Sequence, residues 1–590
     1  MMISGQKISN WRIRLIYLAF VVIVASVVVF LFRWQVLEYD RYRILANQRV
    51  KDSQLASLRG SIYDSSGSPL AYSVPVYDVY AYLPEINDAE ELLRQTRSEL
   101  IEKVSSILEL EKDQLKKDLE TDLLYLAVGK QISVEEKVSL ENLKTDKNPD
   151  RNISGLHFEP SEKRIYPDGE LASHILGFVG KSRLGDDIGR NGVEGYWNGD
   201  LAWKRGYLVE ETDSFGNQIL TGEYEPIFPK VGRSVRLTVD RGLQRMVEKK
   251  IKEGVKKWNA VSGTVIVLDP RTGQILAMAN YPTYNPNEYW KVKEWDIFKN
   301  RAVTDAYEFG SVGKCFTAAV AIDLKEVGPD TIIFDHHDGC VEFIDETEIC
   351  TAGKEPAGPM DLTDVLAYSD NIGAYYTAKK IGPVKFYEYL LKFGMGMKTN
   401  AGFEEESTSL LKDGNTWNKA DLAAYSYGQG YSATPLQLVS GISAITNQGK
   451  RMQPYIVSKI YDEEDTIEIK PKVANKPISR ETAIIANAML TEVFERNGSS
   501  WLFPELLNYQ LAGKSGTASI KDISGLRYAE DKVNVTYVGW DSSDNPKFIM
   551  LIKLQEPEGA PYSVESVQPL WMETFLEIKD IVGVVPIAEK

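Results

Sequence analysis

Histidine and cysteine are scarce in this chain of 590 residues, which has four of the first and three of the second. It contains no CxxC pair and no spaced pair of histidines, so a zinc site built from these residues is not expected. The sequence also lacks a GxxxxGK(S/T) phosphate-binding loop. We therefore expect no metal and no cofactor, and chemistry that comes from Ser, Lys, Asp, Glu, Asn or Tyr side chains.

A surplus of basic residues is also absent. The chain has 68 Lys and Arg against 84 Asp and Glu, a formal net charge of −16. A nucleic-acid binder needs a basic face that meets the phosphates, so no nucleic-acid partner is expected. Hydrophobic residues make up 43% of the chain and charged residues 26%, which is typical of a globular protein.

One long apolar run lies near the N-terminus. Residues 15–32 are an uncharged stretch of 18 residues, which as a helix spans about 27 Å, close to the ~30 Å core of a bilayer. Trp11 and Trp34 flank it, as interfacial aromatic residues do. We predict an uncleaved membrane anchor, because a signal peptide would have a shorter apolar core and a small-residue cleavage site after it. The flanking basic residues do not decide the orientation.

The region between the anchor and residue 235 is mixed in pattern. Residues 34–55 are typical of a helix that continues out of the membrane. The stretch RGSIYDSSGSPLAYS (59–73) alternates like a strand with a turn at 65–67. The charged segment 85–145 has helical periodicity.

Beyond residue 236 the pattern is that of an α+β domain. The segment 236–251 is typical of a strand followed by a capped helix. Residues 263–282 and 533–554 each indicate a hairpin around a polar turn, and a fifth strand runs through Lys514. Strands from both ends of the domain, with helices between them, predict a five-stranded antiparallel sheet in an α+β fold.

Three short motifs carry the candidate chemistry, and the first is Ser311-Val312-Gly313-Lys314 at the start of a helical pattern. Residues i and i+3 share one face of a helix, so the Lys amine can lie beside the Ser hydroxyl. A neutral amine there can take the hydroxyl proton, which a Ser nucleophile requires. The helix N-terminus adds the positive end of a dipole near a developing oxyanion.

The second motif, Ser369-Asp370-Asn371, follows later in the chain. It can supply a second hydroxyl for proton relay and an amide that holds a substrate.

The third motif, Lys514-Ser515-Gly516-Thr517, lies on a predicted strand. Gly516 would leave room for a substrate backbone to approach an edge strand, and the polar side chains can receive a substrate carboxylate. Each motif alone is common by chance. In this order, with the first opening a helix and the last on a strand, they indicate a serine acyltransferase of the penicillin-binding and β-lactamase type.

The chain resembles the class B penicillin-binding proteins, the monofunctional D,D-transpeptidases of peptidoglycan synthesis, over nearly its whole length. Around the active site, NRAVTDAYEFGSVGKCFTAAVA (300–321), SYGQGYSATPLQL (426–438) and AGKSGTA (512–518) are similar to the family's motifs. Further toward the N-terminus, RGSIYDSSGSPLA (59–71) is similar to its opening motif. The stretches IYPDGELASHILGFVG (165–180) and GVEGYWNGDL (192–201) are similar to motifs of its pedestal domain.

The resemblance implies a single-pass membrane protein with a cytoplasmic N-terminus and an extracytoplasmic catalytic domain. The implied divisions are a cytoplasmic tail (1–12), a transmembrane anchor (13–34), an elongated pedestal of the dimerisation type (35–235), a transpeptidase domain (236–580) and a C-terminal tail (581–590).

The resemblance also implies a role for each residue of the three motifs. Ser311 would be the acylated nucleophile, with Lys314 as its general base. Ser369 would relay a proton to the leaving group, and Asn371 would bind the substrate peptide. The edge strand facing a D-Ala-D-Ala terminus would present Lys514, Ser515, Gly516 and Thr517. The oxyanion hole would be the backbone N–H groups of Ser311 and Thr517.

The implied substrates are peptidoglycan stem peptides on lipid-linked precursor strands, and the implied inhibitors are β-lactams. No glycosyltransferase domain is recognisable in 34–235, so a partner glycosyltransferase of the SEDS family and division-complex membrane proteins are expected. The stretch 426–450 and the final hairpin favour a septal role, whereas IYPDGELASHILG points to the side wall. A membrane-anchored β-lactamase and a β-lactam sensor or idle scaffold are the alternatives; the complete motif set and the large pedestal argue against them.

Three residues depart from the family's usual pattern around the nucleophile. Phe309 stands where Pro is usual, and Val312 and Gly313 replace Thr and a large apolar residue. Gly in a helix costs about 1 kcal/mol relative to Ala. We therefore expect a looser nucleophile turn that keeps every catalytic group.

The three cysteines have different predicted environments. Cys340 and Cys350 flank a predicted hairpin, either as free thiols or, in an oxidising compartment, as a disulfide worth about 2–3 kcal/mol. Cys315 is expected to point into the core.

The adjacent His336 and His337 could suggest a metal site, but a surface loop is the expectation because no third ligand is near. Glu308 lies close to Ser311 in sequence, and a structural role is expected for it rather than that of a deacylation base.

Overall fold

The structure is a computed structural model of the chain. It describes residues 10–33, 50–55, 57–92, 97–121, 123–143, 155–183, 185–204, 206–211, 224–227, 230–344, 347–499, 503–521 and 528–587.

The N-terminal helix, Asn10–Phe32, contains the apolar stretch Arg14–Phe32, which is long enough to cross a membrane. This confirms the predicted apolar N-terminal helix. The predicted continuation as a helix lies outside the described residues at 34–49. At its end the prediction is wrong, because Val50–Leu55 is a strand that pairs antiparallel with Gly206–Glu211. The partner lies about 150 residues away in the chain, and such cross-strand pairing overrides local helical preference.

The first of two compact units comprises 1–57, 76–161 and 203–230. Its strand Tyr125–Ile132 pairs antiparallel with 77–82 and interrupts the segment predicted as helical. Its helices are Leu83–Leu92, Arg97–Leu108, Lys112–Leu119 and Val134–Asn142. Its other strands are Val50–Leu55, Gly206–Glu211 and Tyr224–Ile227, which form a three-stranded sheet.

The second unit comprises 58–75, 162–202 and 231–590. Its main sheet has five antiparallel strands in the order Ile275–Tyr281, Ser262–Leu268, Ile549–Gln555, Tyr528–Asp541 and Leu511–Lys521. The strand with the third motif is therefore at an edge. This confirms the predicted five-stranded sheet and the α+β fold.

Alternating side chains of this sheet enter two different cores, as the period of two in a strand requires. Val265 and Val267 pack with the helices Arg241–Lys257 and Val567–Ile578 on one face. Ile266 packs on the other face, where the core includes helix residues from 314–323, 435–446 and 480–494. The helix that begins with Lys314 is thus buried against the sheet that carries Lys514.

The other strands of this unit are Ile62–Tyr63, Phe178–Lys181, Asp187–Arg190, Ser234–Leu237, Cys340–Ile344, Thr347–Cys350, Arg451–Met452, Val457–Tyr461, Thr466–Glu468 and Val473–Asn475; Pro69–Tyr82 and Leu156–Ile165 belong to it in part. Its remaining α-helices are Ser173–Leu176, Gly192–Tyr196, Asn198–Leu201, Arg301–Thr304, Lys314–Asp323, Leu362–Ala367, Asn371–Ile381, Pro383–Lys392, Lys419–Ser426, Pro435–Thr446 and Arg480–Phe494.

A buried ion cluster in this unit links the opening motif to residues in and next to the pedestal motifs. Glu194 is fully buried and binds Arg59 Nε at 2.6 Å and Arg164 Nε at 2.7 Å. Burial alone would raise the pKa of Glu194, but the two guanidinium groups hold it below its ordinary value. The opening motif, Arg164 just before the IYPDGELA stretch, and the GVEGY stretch are thereby held together.

Candidate active site

The nucleophile motif forms a single 3-10 turn, Gly310–Gly313, that leads into the α-helix Lys314–Asp323. Lys314 is therefore the first α-helical residue, and Ser311 lies one turn before it. The Nζ of Lys314 lies 3.0 Å from the Oγ of Ser311. The predicted contact between amine and hydroxyl is present.

The Lys314 amine is buried and donates hydrogen bonds to the SDN segment. It is 1% exposed and contacts the carbonyl of Ser369 at 2.5 Å and Oδ1 of Asn371 at 2.8 Å. Burial lowers its pKa well below the ordinary value, and the charge of Lys514 lowers it further, while Asp370 opposes both. In its neutral form the amine has two hydrogens, which these two acceptors can take. Its lone pair is then free to face Ser311.

Ser369 lies between two lysine side chains. Its hydroxyl is 3.3 Å from Lys314 Nζ and 3.1 Å from Lys514 Nζ. Its backbone has φ of +57°, a left-handed conformation that is unfavourable for a residue with a side chain. The next residue, Asp370, caps the helix Asn371–Ile381 by accepting from Gly373 N–H at 2.6 Å.

Lys514 is 1% exposed, and burial lowers its pKa to about 8.

Gly516, two positions further along the strand, packs closely against the nucleophile turn. A Cβ there would lie 2.3 Å from the carbonyl oxygen of Phe309. The glycine thus permits the close approach of the nucleophile turn to the edge strand.

A cleft of about 330 Å³ opens over these groups. Ser311, Ser369, Asn371, Ser515, Gly516 and Thr517 line it, together with Gly310, Tyr427, Gln429, Tyr562, Ser563 and Val564. The structure therefore brings the predicted site residues of all three motifs together, with the two lysines buried beneath. Sequence reasoning assigned no role to the last five residues. Of these, Tyr427 and Gln429 lie in the SYGQG motif, whereas no motif marks the segment 562–564.

Ser563 is the unexpected polar partner of the third motif. Its Oγ lies 2.9 Å from Oγ1 of Thr517, and its backbone N–H donates to the same atom at 3.1 Å. Its hydroxyl also donates to the carbonyl of Gly516. The segment after the last strand thus orients the Thr517 side chain in the cleft.

The expectation of a loosened nucleophile turn is not met. A Cβ on Gly313 would lie 2.6 Å from the Cα of Gly428 in the SYGQG motif. Gly313 is therefore tightly packed against the backbone of Gly428. The missing side chain allows this close contact and does not loosen the turn.

Cys340 and Cys350 form a disulfide across the predicted hairpin. Cys315 is 1% exposed, so its predicted burial is confirmed. The surface-loop prediction holds for His336, which is exposed, and is wrong for His337, which is 4% exposed. Local sequence could not show this, because the partner of His337 is Asp370, 33 residues away.

Glu308 has the structural contacts expected of it. It lies 3.3 Å from Lys521 Nζ and accepts from the hydroxyl of Tyr528 at 2.9 Å.

Comparison with known proteins agrees with this geometry. Residues 263–574 match the family described as "Penicillin binding protein transpeptidase domain", and residues 54–237 match "Penicillin-binding Protein dimerisation domain". The "Peptidoglycan D,D-transpeptidase FtsI homolog" of Mesostigma viride is 28% identical, over 85% of this chain and 83% of that protein. The "Stage V sporulation protein D" of Bacillus subtilis is 27% identical, over 85% and 74%.

Among solved structures, penicillin-binding protein 2X from Streptococcus thermophilus has a TM-score of 0.73 at 24% identity, over 91% of this chain and 82% of that one. At this identity the likeness supports the fold. Together with the family matches, it confirms the resemblance on which the sequence analysis rested. With its dimerisation and transpeptidase regions and its apolar N-terminal helix, the chain belongs to the class B penicillin-binding proteins, a family of serine-type transpeptidases.

Proposed function

We propose that this protein cross-links peptidoglycan stem peptides through an acyl-enzyme on Ser311. The observation that carries the proposal is the buried Lys314 amine, which lies 3.0 Å from the Ser311 hydroxyl and also contacts the Ser369 carbonyl and Oδ1 of Asn371. The relative named above as a peptidoglycan D,D-transpeptidase supports the choice of substrate.

In the first step, Ser311 Oγ attacks the carbonyl carbon of the penultimate D-Ala while its proton passes to Lys314 Nζ. The resulting oxyanion would be held by the backbone N–H groups of Ser311 and Thr517. The C–N bond then breaks, and the leaving amine of the terminal D-Ala takes a proton through the Ser369 hydroxyl. Lys514 Nζ, 3.1 Å from that hydroxyl, keeps it oriented.

In the second step, an amine from a neighbouring strand attacks the ester carbonyl. The proton of the attacking amine passes to the basic groups of the site. The C–O bond of the ester then breaks, and Ser311 Oγ takes back a proton from Lys314. Asn371 would hold the peptide, while Lys514, Ser515 and Thr517 would receive the terminal carboxylate. β-lactams would acylate the same hydroxyl and block it.

The helix Asn10–Phe32 supports anchoring in the cell membrane, with residues 1–12 in the cytoplasm and 35–580 outside. The domain boundaries given above, with the pedestal at 35–235 and the transpeptidase domain at 236–580, are part of this proposal. A SEDS-family glycosyltransferase and division-complex membrane proteins would be its partners. A septal role is favoured, with side-wall synthesis as the alternative.

Two experiments test the proposal. Labelling with a fluorescent penicillin should give one covalent adduct, which peptide mass spectrometry should place on Ser311; Ser311→Ala should abolish it, and an adduct elsewhere would refute the assignment. Depletion in a rod-shaped host should give filaments with stalled septa. Rounded, swollen cells that still divide would overturn the septal role and leave the chemistry standing.

A further inference from the structure

The Ser369-Asp370-Asn371 turn is contacted by a segment that has no part in the three motifs. We call this segment the strap, residues 334–344 and 347–357. It contains the hairpin Cys340–Ile344 and Thr347–Cys350, which the disulfide closes. Asn371 Nδ2 donates to the carbonyl oxygen of Cys350 at 2.9 Å.

A second contact reaches the middle of the turn. His337 Nε2 lies 3.2 Å from Oδ2 of Asp370, and both side chains are buried, with exposures of 0% and 3%. The Nδ1 of His337 accepts from Gly339 N–H at 3.1 Å. Since that nitrogen is an acceptor, a neutral ring carries its proton on Nε2 and donates it to Asp370.

The His337 ring has little freedom to move. Its backbone N–H and carbonyl both pair with Ala357, at 3.1 and 3.0 Å. The ring also packs on Phe334, with centroids 4.7 Å apart. A fixed ring therefore presents its donor to Asp370 at a defined position.

Asp370 is held on two sides, since one oxygen accepts from Gly373 and the other from His337. Its two chain neighbours, Ser369 and Asn371, are the acceptors of the Lys314 hydrogens. A shift of Asp370 would therefore move both groups that orient the proposed general base.

We propose that His337 is a positioning residue for the transpeptidase reaction, acting through Asp370 to fix Ser369 and Asn371 against Lys314. The inference rests on the acyl-enzyme role proposed for Ser311. A substitution away from the reacting atoms that misplaces a catalytic group by about 1 Å can lower the rate on the order of 100-fold. Loss of the hydrogen-bond donor at position 337 should slow acylation of Ser311. The affinity for penicillin in the initial non-covalent complex should stay nearly unchanged.

A matched pair of variants separates the two contacts of the ring. In His337→Gln the amide nitrogen reaches about as far as Nε2 and can donate to Asp370. In His337→Asn the side chain is shorter, so it can accept from Gly339 but cannot reach Asp370. The acylation rate constant and the dissociation constant of the initial complex would be measured from time courses at several concentrations of a fluorescent penicillin, alongside thermal unfolding.

We expect the Asn variant to lose about 10- to 100-fold in the acylation rate constant, with the dissociation constant within about twofold. The Gln variant should stay within about threefold of wild type. Wild-type acylation by the Asn variant would overturn the proposal, and so would a Gln variant as slow as the Asn variant. If the Asn variant does not fold, His337→Leu replaces it, because Leu fills the space without a donor. A wild-type protein unlabelled at Ser311 would instead refute the proposed function.

Discussion

The ring of Phe309 fits against the backbone of Gly313: its Cε2 atom lies 3.2 Å from the point where a Cβ on residue 313 would stand. Phe309 is 1% exposed and meets Tyr431 edge to face, with centroids 5.0 Å apart. Two of the departures from the family pattern therefore occupy one site. The aromatic ring fills space next to the position where a large side chain is missing.

Substitution of Gly313 by Ala tests this fit. The added methyl would stand 2.6 Å from Gly428 Cα, so we expect a loss of about 1–3 kcal/mol of stability and slower acylation by penicillin. Gly358 has open space around its Cβ position and provides the control, Gly358→Ala. A Gly313→Ala protein that is more stable and equally reactive would show that helix propensity outweighs the contact.

Replacement of Lys314 by Arg tests the proton transfer to this residue. Arg is also basic but stays protonated at any working pH, so it cannot take the Ser311 proton. We expect acylation to fall by about 1000-fold or more, as when one member of a catalytic unit is removed. Lys392→Arg at an exposed helix end is the control. A near-wild-type rate in Lys314→Arg would rule out the base role.

The pH dependence of acylation should follow both lysines. Burial lowers the pKa of Lys514 to about 8, so its charge is present below that pH and lost above it. That charge lowers the pKa of Lys314, and under the proposed function it would attract the substrate carboxylate. We expect acylation by penicillin to fall as pH rises through about 8, and to fall at low pH as Lys314 becomes protonated. Thermal unfolding at each pH separates this from loss of structure, and a rate that stays constant to pH 10 would contradict it.

Ser563 should matter for the orientation of Thr517. Its removal in Ser563→Ala deletes the contact of 2.9 Å between the two hydroxyls, and a hydrogen bond of this kind is worth about 1 kcal/mol. We expect acylation to slow by about fivefold at that energy. Ser542→Ala is the matched control, because Ser542 is buried and accepts a hydrogen bond from Thr491. Equal rates for both variants would exclude a role for Ser563.

The buried cluster of Glu194 with Arg59 and Arg164 should govern acid stability. Glu194→Gln keeps the shape but leaves two buried guanidinium groups without their counter-charge, which costs about 3–5 kcal/mol. Because the folded pKa of Glu194 lies below its ordinary value of 4.5, its stabilisation is present above that pH and is lost as pH falls further. Thermal unfolding between pH 3 and 7 measures this.

Glu102→Gln is the control for that experiment, since Glu102 is exposed and its ion pair with Lys112 is 3.8 Å long. The control should unfold like wild type at every pH. An equal shift in both variants would mean that total charge, and not the buried cluster, sets the acid limit.

The sheet and the three motifs could be predicted from the sequence because their determinants are local. Alternating apolar runs flank recognisable turns at 263–282 and 533–554, and Ser311 and Lys314 are one helical turn apart. The strand Tyr125–Ile132 was missed because most of its side chains are at least partly exposed and its charged context resembles a helix. His337 and Ser563 were misjudged or overlooked because each has its partner far away in sequence, at Asp370 and Thr517.

The five-stranded sheet takes its strands from the two ends of the region 262–555, and this sets the order in which the protein becomes reactive. During synthesis the nucleophile turn leaves the ribosome about 200 residues before the edge strand Leu511–Lys521, and the segment 562–564 that also lines its cleft follows later still. Contacts between such distant segments form late in folding. A growing chain therefore lacks a complete cleft, and we expect penicillin to acylate only molecules whose synthesis is almost finished.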